Sequence, residues 1–453
     1  MADLMQKIKS LCKRRGFIFQ GSDIYGGLAN TWDYGPMGSQ LKKNIKNHWW
    51  KKAVESRSDI EGLDGSILMS PRVWEASGHA SGFVDPLVED VETHERYRAD
   101  HLIEEELDIQ AEGMDMEEMQ EAIEENDIKS PEGNELTKPK RFNLMFETNI
   151  GPTDAGKNTF LRPETAQAIF VNFKKVLDTT RQKLPFGIAQ IGKAFRNEIT
   201  PGNYIFRTLE FEQMEIEYFI EEEQWEEVFD QWNSWLEEWA KEIGLDMSRL
   251  HRYDKPDSEL SHYAKKTIDF EFEYPFGINE LWGLAYRTDF DLKSHQEHSG
   301  EKLVYTDPQD QSNKIIPHVI EPSLGVDRTL LALLVSAYEE EEVDGNERTV
   351  MRFKPEIAPN QVAVFPLMDK DGLGEHAQEI YEDIRTEYRV EYDDSGSIGK
   401  RYRRQDEIGT PYCITVDYDS LEGEGVTVRD RDTMEQDRVQ EDELVDYFDE
   451  KIS

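Results

Sequence analysis

The stretch that decides the fold runs from Phe195 to Phe219 and reads FRNEITPGNYIFRTLEFEQMEIEYF. Its cluster Thr200-Pro201-Gly202-Asn203 is typical of a tight reversal, so the stretch predicts two strands joined by a turn. Arg196 and Glu198 then share one face of the incoming strand. On a regular outgoing strand, one face carries alternate residues, namely Arg207, Leu209, Phe211, Gln213, Glu215 and Glu217. Because this face is charged, it meets either water or a charged ligand.

Length and composition predict a multidomain protein without a membrane span. The chain has 453 residues, of which 37% are hydrophobic, and this length suits two or three domains. It contains no run of about eighteen apolar residues, so no transmembrane helix is expected. The N-terminal sequence lacks the apolar region of a signal peptide. Cys12 and Cys413 are the only cysteines, which excludes a disulfide framework or a cysteine-rich zinc site and favours the cytoplasm.

The charge balance is strongly acidic. The net charge is −43, from 95 acidic and 52 basic residues, and taken alone this argues against nucleic-acid binding, because phosphate contacts need Lys and Arg. The block from Glu104 to Glu125 contains many acidic residues and no basic one. A cytoplasm of high salt concentration would account for the overall excess, because salt screens the self-repulsion.

The pattern of elements changes near residue 355, which predicts two domains. Residues 1–355 contain an acidic helical insertion at about 85–140 and a helical insertion at about 222–262. Over residues 356–453, candidate strands and helices alternate, as in a separate α/β domain. That second domain carries a dense basic cluster whose charges suit RNA phosphates, although a solvated basic loop remains an alternative; its members are Lys400, Arg401, Arg403 and Arg404.

Several isolated charged residues allow two interpretations each. Arg98 in an acidic neighbourhood is either a local salt bridge or a ligand contact. Glu164 lies near a helix start, where a carboxylate is favourable with or without a ligand. Glu280 and Arg287 occur in an apolar strand, so they are either paired or facing a ligand. Arg328 in the first turn of a helix invites an anionic partner, and a structural carboxylate would serve as well.

Taken together, these segments resemble the class II aminoacyl-tRNA synthetases, and within that class the homodimeric glycyl-tRNA synthetases. Residues 195–215 are similar to motif 2 of the class, the sequence GVDR at 325–328 to motif 3, and Gly35-Pro36 with the following helix to motif 1. The glycine assignment rests on longer segments: LRPETAQ at 161–167, EFEQMEIEYF at 210–219, ELWGLAYRTDFDL at 280–292 and VIEPSLGVDR at 319–328. The tail sequence SGSIGKRYRRQDEIGTPYC at 395–413 is similar to the family's anticodon-binding domain.

The resemblance implies an α+β fold and a ligase activity. The expected catalytic domain, residues 1–355, is a class II antiparallel sheet with flanking helices, and residues 356–453 form a C-terminal α/β anticodon-binding domain. The implied reaction joins ATP and glycine to glycyl-adenylate and transfers glycine to the 3′ end of tRNA(Gly), releasing AMP and pyrophosphate. The implied partners are tRNA(Gly), glycine and a second copy of the chain in a homodimer, with ATP as substrate, Mg²⁺ as cofactor and no membrane.

The resemblance also assigns the ATP site. Arg196 is the expected α-phosphate clamp, and Arg207 and Arg328 are expected on the outer phosphates. Phe211 would stack under adenine with Arg328 above it, and Glu198 would read the adenine amino group. The implied catalytic residues are Arg196, Glu198 and Arg328. The full implied ATP-binding set is Arg196, Asn197, Glu198, Phe206, Arg207, Thr208, Leu209, Glu210, Phe211, Glu280, Leu281, Gly325, Val326, Asp327 and Arg328.

Glycine recognition is expected to work by exclusion. In the family, the residues at Glu164, Glu215 and Glu321 meet the ammonium group, while Arg98 approaches the carboxylate side and Ser323 helps to close the pocket. Alanine adds a methyl group that overpacks a tight pocket, at a cost of roughly 1–3 kcal/mol. The full implied glycine-binding set is Arg98, Glu164, Phe211, Glu212, Gln213, Met214, Glu215, Glu321, Pro322, Ser323, Leu324 and Gly325.

The remaining implied contacts include two departures from the family. Glu280 is the candidate Mg²⁺ contact. The cluster Lys400, Arg401, Arg403 and Arg404 is the implied tRNA-binding surface. Leu209 stands where the family usually has Arg, and Leu cannot contact phosphate. The cysteine pair that many relatives have before the sequence YRADH is absent, so no zinc is expected. Two alternatives stay open: a non-catalytic, nucleic-acid-binding descendant, and a class II enzyme for another small amino acid.

Overall fold

The computed structural model describes residues 2–109, 111, 114–151, 157–199, 202–308, 312, 314–343 and 345–452. The α-helices among these residues are α1 (Ala2–Arg15), α2 (Pro36–Trp50), α3 (Pro71–Ala76), α4 (His79–Gly82), α5 (Ala99–Leu107), α6 (Met116–Glu125), α7 (Ala166–Thr180), α8 (Trp225–Ile243), α9 (Phe290–Ser299), α10 (Val326–Ala337), α11 (Leu373–Ile384), α12 (Ile398–Ile408), α13 (Tyr418–Leu421) and α14 (Leu444–Ile452).

The strands of the described residues are β1 (Ile18–Gln20), β2 (Trp32–Tyr34), β3 (Ile60–Gly62), β4 (Val84–Glu89), β5 (Arg96–Arg98), β6 (Lys140–Asn143), β7 (Glu147–Ile150), β8 (Lys157–Phe160), β9 (Phe186–Phe195), β10 (Glu210–Ile220), β11 (Leu250–Asp254), β12 (Lys266–Tyr274), β13 (Gly277–Thr288), β14 (Tyr305–Thr306), β15 (Lys314–Ile315), β16 (His318–Gly325), β17 (Tyr338–Val343), β18 (Asn346–Met351), β19 (Val362–Pro366), β20 (Val390–Tyr392), β21 (Tyr412–Val416), β22 (Val426–Asp430) and β23 (Gln436–Val439).

The centre of the molecule is a seven-stranded sheet of order β11-β12-β13-β16-β10-β9-β3. Its neighbouring strands are antiparallel, except that β3 runs parallel to β9. Met214, Ile216 and Tyr218 of β10 are buried in the same core as side chains of α2, α8 and α10. Because strand side chains alternate, Gln213 and Glu215 lie on the opposite face. The predicted antiparallel sheet with flanking helices is confirmed, and it leaves one charged face.

The hairpin formed by residues 195–219 has a longer connection between its strands than the sequence predicts. Strand β9 ends at Phe195 and β10 begins at Glu210, so Arg196, Glu198 and Arg207 lie in the connection and not on strands. The backbone of Arg196 still bonds to Leu209, at 3.0 Å, but the next amide, that of Asn197, bonds to Leu144 instead. The chain therefore leaves the ladder one residue after Phe195. Of the predicted turn, Thr200 and Pro201 lie outside the described residues.

Two predicted insertions contain more strand than the sequence pattern indicated. The segment at about 85–140 holds the three-stranded sheet β5-β4-β6 beside α5 and α6, around a small core of its own. Met119 and Ile123 of α6 are buried in that core, as their helical spacing predicts. The segment at about 222–262 begins with α8, but its later part forms β11, the edge strand of the central sheet.

The C-terminal part has a five-stranded mixed sheet of order β20-β19-β21-β22-β23. The pairs β19–β20 and β19–β21 are parallel, whereas β21–β22 and β22–β23 are antiparallel. Side chains of α11 and α14 complete a core distinct from that of the central sheet. The α/β character of this part is confirmed. None of the helices among the described residues combines the length and the apolar composition that crossing a membrane requires.

Candidate active site

A cavity of about 270 Å³ opens on the charged face of the central sheet. Its walls come from β10, β13 and β16, from the connection between β9 and β10, and from the start of α10. The structure therefore brings together most of the residues that the sequence assigned to the two ligands. The predicted residues that line the cavity are Glu164, Arg196, Glu198, Phe206, Arg207, Thr208, Phe211, Glu212, Gln213, Glu215, Glu280, Leu281, Glu321, Ser323, Gly325, Asp327 and Arg328.

One end of the cavity is cationic. Arg196 is held by a hydrogen bond from its Nε to the carbonyl oxygen of Pro163, at 3.0 Å, and its guanidinium lies 5.3 Å from the centre of the Phe211 ring. Burial lowers the pKa of Arg207, and the neighbouring charge of Arg328 adds to this effect while Glu198 opposes it. Three arginines crowded into one cavity repel one another, so the arrangement favours a polyanionic ligand.

Arg328 reaches the same end from the first turn of α10. Its Nη1 lies 3.1 Å from Oε2 of Glu280, and its guanidinium lies 4.3 Å from the centre of the Phe206 ring. The sequence predicted that Arg328 and Phe211 would enclose adenine. In this structure the Arg328 guanidinium lies over Phe206, and Phe211 has Arg196 beside it. The adenine contact of Phe211 stays a prediction.

Asp327 and Glu212 line the cavity and also bond to lysines of α2. Asp327 accepts a hydrogen bond from the backbone amide of Glu212, at 2.8 Å, and from Nζ of Lys42, at 2.7 Å. Lys46 lies 2.8 Å from Glu212. These contacts hold α2, β10 and the start of α10 in one register. The carboxylates of Asp327 and Glu212 therefore have a structural role, which is independent of any contact with a ligand.

The other end of the cavity is anionic and has Arg287 at its centre. Arg287 is buried, and its Nη1 donates to Glu321 at 2.6 Å. Its Nε and Nη2 donate to the two oxygens of Asp291, at 2.9 and 3.0 Å. The guanidinium lies 4.0 Å from the centre of the Tyr263 ring. Arg287 thus neutralises part of the negative charge of the pocket, and other carboxylate oxygens of the pocket remain available to a ligand.

The predicted ammonium ligands lie around this arginine. Glu215 is buried and accepts hydrogen bonds from Ser323, at 2.8 Å, and from the hydroxyl of Thr165. Glu164 accepts from Gln167 at 2.9 Å and lies 3.3 Å from His79. Together with Glu321, these carboxyls form an acidic pocket that suits a small cation.

Burial and charge set the protonation of these three carboxyls differently. Burial alone would raise the pKa of Glu164, but His79, Arg287 and the bond from Gln167 outweigh it and hold that pKa well below its usual range. Burial and the nearby charge of Glu164 raise the pKa of Glu215. Burial raises the pKa of Glu321 to about 8, although Arg287 opposes this. Burial thus favours the neutral form of Glu215 and Glu321, whereas the neighbours of Glu164 favour its ionised form.

Some predicted ligand residues lie elsewhere. The side chains of Met214, Leu324 and Val326 are fully buried in the core, so their assignment to a ligand is wrong for the side chains. The physical reason for Met214 and Leu324 is strand alternation, which turns every second residue of β10 and β16 away from the cavity. Four more predicted residues are not among those lining it: Asn197, Leu209, Glu210 and Pro322.

Arg98 is also absent from the lining of the cavity. Its guanidinium is engaged by Asp85 at 3.1 Å and by Asp100 at 2.5 Å. The structure therefore favours the local salt bridge over a direct contact with the amino acid. Arg287 was predicted only to be either paired or facing a ligand. Its spacing of four residues from Asp291 in an apolar segment could have indicated the ion pair between them.

The comparisons with known proteins cover both parts of the chain. Residues 146–337 match the family described as "tRNA synthetase class II core domain (G, H, P, S and T)", and residues 361–451 match "Anticodon binding domain". The glycine–tRNA ligase of Caldanaerobacter subterraneus subsp. tengcongensis is 54% identical over 456 residues, which cover 99% of this chain and 98% of that protein. The chain belongs to the glycine–tRNA ligase family.

Further relatives agree with this family. The glycine–tRNA ligase of Geobacillus thermodenitrificans is 53% identical over 465 residues, covering 100% of this chain and 98% of that protein. That of Bacillus cereus is 50% identical over 456 residues, covering 99% of each. The resemblance predicted from the sequence is confirmed, and the cavity's main strands lie within the matched core of this glycine–tRNA ligase family member.

The basic cluster of this family member lies on α12 of the matched anticodon-binding domain. Arg401 is buried, and its guanidinium donates to the carbonyl oxygens of Asp394 and Gly396, at 2.7 and 2.8 Å. A third backbone carbonyl, that of Pro366, also accepts a hydrogen bond from this guanidinium, so the structure gives no support to a contact between the buried Arg401 side chain and tRNA phosphates. Arg404 is half-buried and bonded to Asp393 at 2.8 Å.

Lys400 and Arg403 remain the open cations of the cluster. Lys400 is exposed, and the side chain of Arg403 is 39% exposed with Asp406 at 3.5 Å. Both line an open surface cavity of about 620 Å³, which α1 also borders through Arg15. The sequence predicted four phosphate contacts here; the structure leaves two that are free to turn toward a ligand.

Proposed function

We propose that this protein is an ATP-dependent glycine–tRNA ligase that works from the cavity on the central sheet. It joins glycine to ATP as glycyl-adenylate and transfers glycine to the 3′ end of tRNA(Gly), with release of pyrophosphate and AMP. The observation that carries the proposal is the polarity of one cavity, whose two ends have opposite charge. Arg196, Arg207 and Arg328 line one end, and Glu164, Glu215 and Glu321 line the other.

The cationic end addresses the main difficulty of adenylate formation. The amino-acid carboxylate attacks the α-phosphate, and these two anions repel each other before they react. Arg196, held by the carbonyl oxygen of Pro163 and beside Phe211, would bind both groups through its planar guanidinium. Arg207 and Arg328 then hold the outer phosphates. No side chain has to remove a proton, because the attacking carboxylate is already ionised.

The anionic end selects the amino acid. Glu164, Glu215 and Glu321 accept the ammonium group, and Ser323 narrows the space beside it. A side chain on the amino acid would have to enter a pocket whose walls are charged and hydrogen-bonded to one another. The methyl group of alanine would therefore meet both a steric cost and a desolvation cost.

Glu280 fits a Mg²⁺ ion bound with ATP. Its carboxylate is exposed at the cationic end, 3.1 Å from Arg328, and carboxylate oxygen is the ligand that Mg²⁺ prefers. When bound there, Mg²⁺ supplies positive charge that offsets the charge of the phosphates. The cysteine pair of many relatives remains absent from the sequence, and the expectation of no zinc stays a prediction.

The experiment that tests this function is ATP–pyrophosphate exchange with glycine, alanine and serine in turn. Glycine should drive the exchange, and alanine and serine should do so at least about tenfold less efficiently, because one added group costs roughly 1–3 kcal/mol in such a pocket. Exchange driven by alanine or serine and not by glycine would reject the assignment. No exchange with any of the three would favour a non-catalytic descendant.

The protein is further proposed to act as a homodimer in the cytoplasm. An exposed apolar surface near the N-terminus supports the dimer: Ile24 is 88% exposed, Tyr25 87% and Leu28 57%. An apolar patch of this kind next to the motif 1 helix suits contact with a second copy. Light scattering at working KCl should give twice the chain mass. The chain mass alone, at micromolar concentration, would contradict the dimer.

A further inference from the structure

Glu217 is a buried carboxyl that the proposed reaction does not use. It follows Glu215 by two residues on β10, so its side chain lies on the same face of the sheet. It is 0% exposed, and neither of its oxygens has a hydrogen-bond partner among the described residues. It is not among the residues that line the cavity, so it lies behind the pocket wall.

Glu217 is nevertheless close to the ammonium ligands. Carboxyl oxygens of Glu215, Glu217 and Glu321 all lie within 4.8 Å of one another. Glu215 has Thr165 and Ser323 as donors, and Glu321 has Arg287. Glu217 has no hydrogen-bond donor among the described residues. An unpaired buried carboxylate is very costly, so such a group keeps its proton.

Several elements contribute charged or titratable groups to the surroundings of Glu217, including α9, whose His295 bonds to Gln167 beside Asp291. Arg287 of β13 is the cation that faces it, and the other charged or titratable neighbours are Glu215 on β10, Glu321 on β16, Asp291 on α9 and, further along the pocket, Glu164 before α7. Burial and the neighbouring charge of Glu321 raise the pKa of Glu217, and Arg287 only partly offsets them. One arginine thus faces up to five carboxyls.

We propose that the carboxyls of Glu217 and Glu321 hold one proton between them in the free enzyme, and that the ammonium group of glycine displaces this proton when it binds. The proton passes to water, and the ammonium takes over its positive charge in the pocket. Glu217 is thereby a positioning residue that acts through Glu321, without touching the amino acid. This inference rests on the proposed function, because it takes glycine as the ligand of the anionic end.

The proposal fixes the direction of the pH dependence. Proton and ammonium compete for the same pair, so glycine affinity should rise with pH until the pair is ionised. The rise should reach about tenfold per pH unit while the pair still holds its proton, and it should level off once the pair is ionised. The affinity for ATP, bound at the other end, should not share this slope.

The test is calorimetry of glycine binding to the full-length protein near pH 7 in two buffers of different ionisation enthalpy. The wild type should release about one proton per glycine bound. Glu217→Gln keeps the size but cannot share a proton, so its release should fall close to zero and the pH slope of the glycine KM should flatten. Glu223→Gln, the same change at an exposed position after β10, should behave as wild type.

Each outcome decides between the proposal and its alternatives. Glycine binding without proton release in the wild type, or equal release by Glu217→Gln, would overturn it and leave Glu217 a filler of the core. If Glu217→Gln does not fold, Glu217→Met provides the same comparison with an apolar side chain of similar length. A wild type that does not bind glycine at all would instead contradict the proposed function.

Discussion

At the scale of residues, Arg287 makes the anionic pocket possible. It is the cation of the cluster, bonded to both oxygens of Asp291 and to Glu321. Breaking a buried ion pair by removing one partner typically costs about 3–5 kcal/mol, because the other charge is left without compensation. The pocket can therefore concentrate carboxyls for an ammonium group only while Arg287 holds them, and the aromatic faces of Tyr263 and Phe170 fix its plane.

Residue-level prediction of the anionic pocket came from the family resemblance and not from the sequence pattern alone. The carboxyls Glu164, Glu215 and Glu321 were assigned to one pocket through the resemblance, and the structure places them there. The ligand contacts of Arg98 and Arg401 stay predictions, and the structure shows partners for both that the sequence pattern did not indicate. Asp85 holds the first, and backbone carbonyls hold the second. A guanidinium is free for a ligand only if the fold leaves its donors unused.

At the scale of elements, helix α12 carries Lys400 and Arg403, the accessible cations through which we propose that the C-terminal domain contacts tRNA. Replacing Lys400 and Arg403 together by Gln should leave ATP–pyrophosphate exchange unchanged and weaken tRNA charging several-fold, because two phosphate contacts are lost. The measurement is the KM for tRNA(Gly) at two KCl concentrations. A double variant at exposed positions of α11, Glu375→Gln with Glu379→Gln, is the matched control.

One result would contradict a role of α12 in tRNA binding. An unchanged KM for tRNA in the Lys400/Arg403 variant would mean that this helix surface is only solvated. The side chain of Arg401 is left intact in this design, since its bonds to Asp394 and Gly396 hold the start of the helix. Substituting Arg401 would remove these bonds, so a loss of tRNA binding could not be separated from a loss of folding.

Element-level prediction worked for periodic segments and failed at the ends of strands. The alternation of β10 and the helical spacing in α8 were visible in the sequence, and both elements form. The departure of the chain at Arg196 was not visible, because it depends on the bond from Asn197 to Leu144, which is distant in the sequence. Similarly, the sequence predicted a helical insertion where β11 forms, because β11 joins the sheet only through its pairing with β12.

At the scale of the whole molecule, a net charge of −43 has to be reconciled with a polyanionic partner. Basic residues are grouped locally on this acidic molecule. Arg15 of α1 borders the same open cavity as Lys400 and Arg403 of α12. Salt shortens the range of the acidic surface's repulsion, and because Arg15 is paired with Glu407, Lys400 and Arg403 are the cations that can act on tRNA at contact distance. Composition predicted the acidity correctly but could not predict where accessible cations would gather, which is a property of the fold.

The central claim is that Arg196 brings two anions together on the charged face of the sheet. The measurement that tests it most directly is glycine-dependent ATP–pyrophosphate exchange by Arg196→Ala, beside Arg252→Ala at an exposed position of β11 outside the cavity. Arg196→Ala should lower the exchange rate by about a hundredfold or more, since its contacts act on developing transition-state charge, whereas Arg252→Ala should keep the wild-type rate. Near-normal exchange by a folded Arg196→Ala protein would contradict the claim.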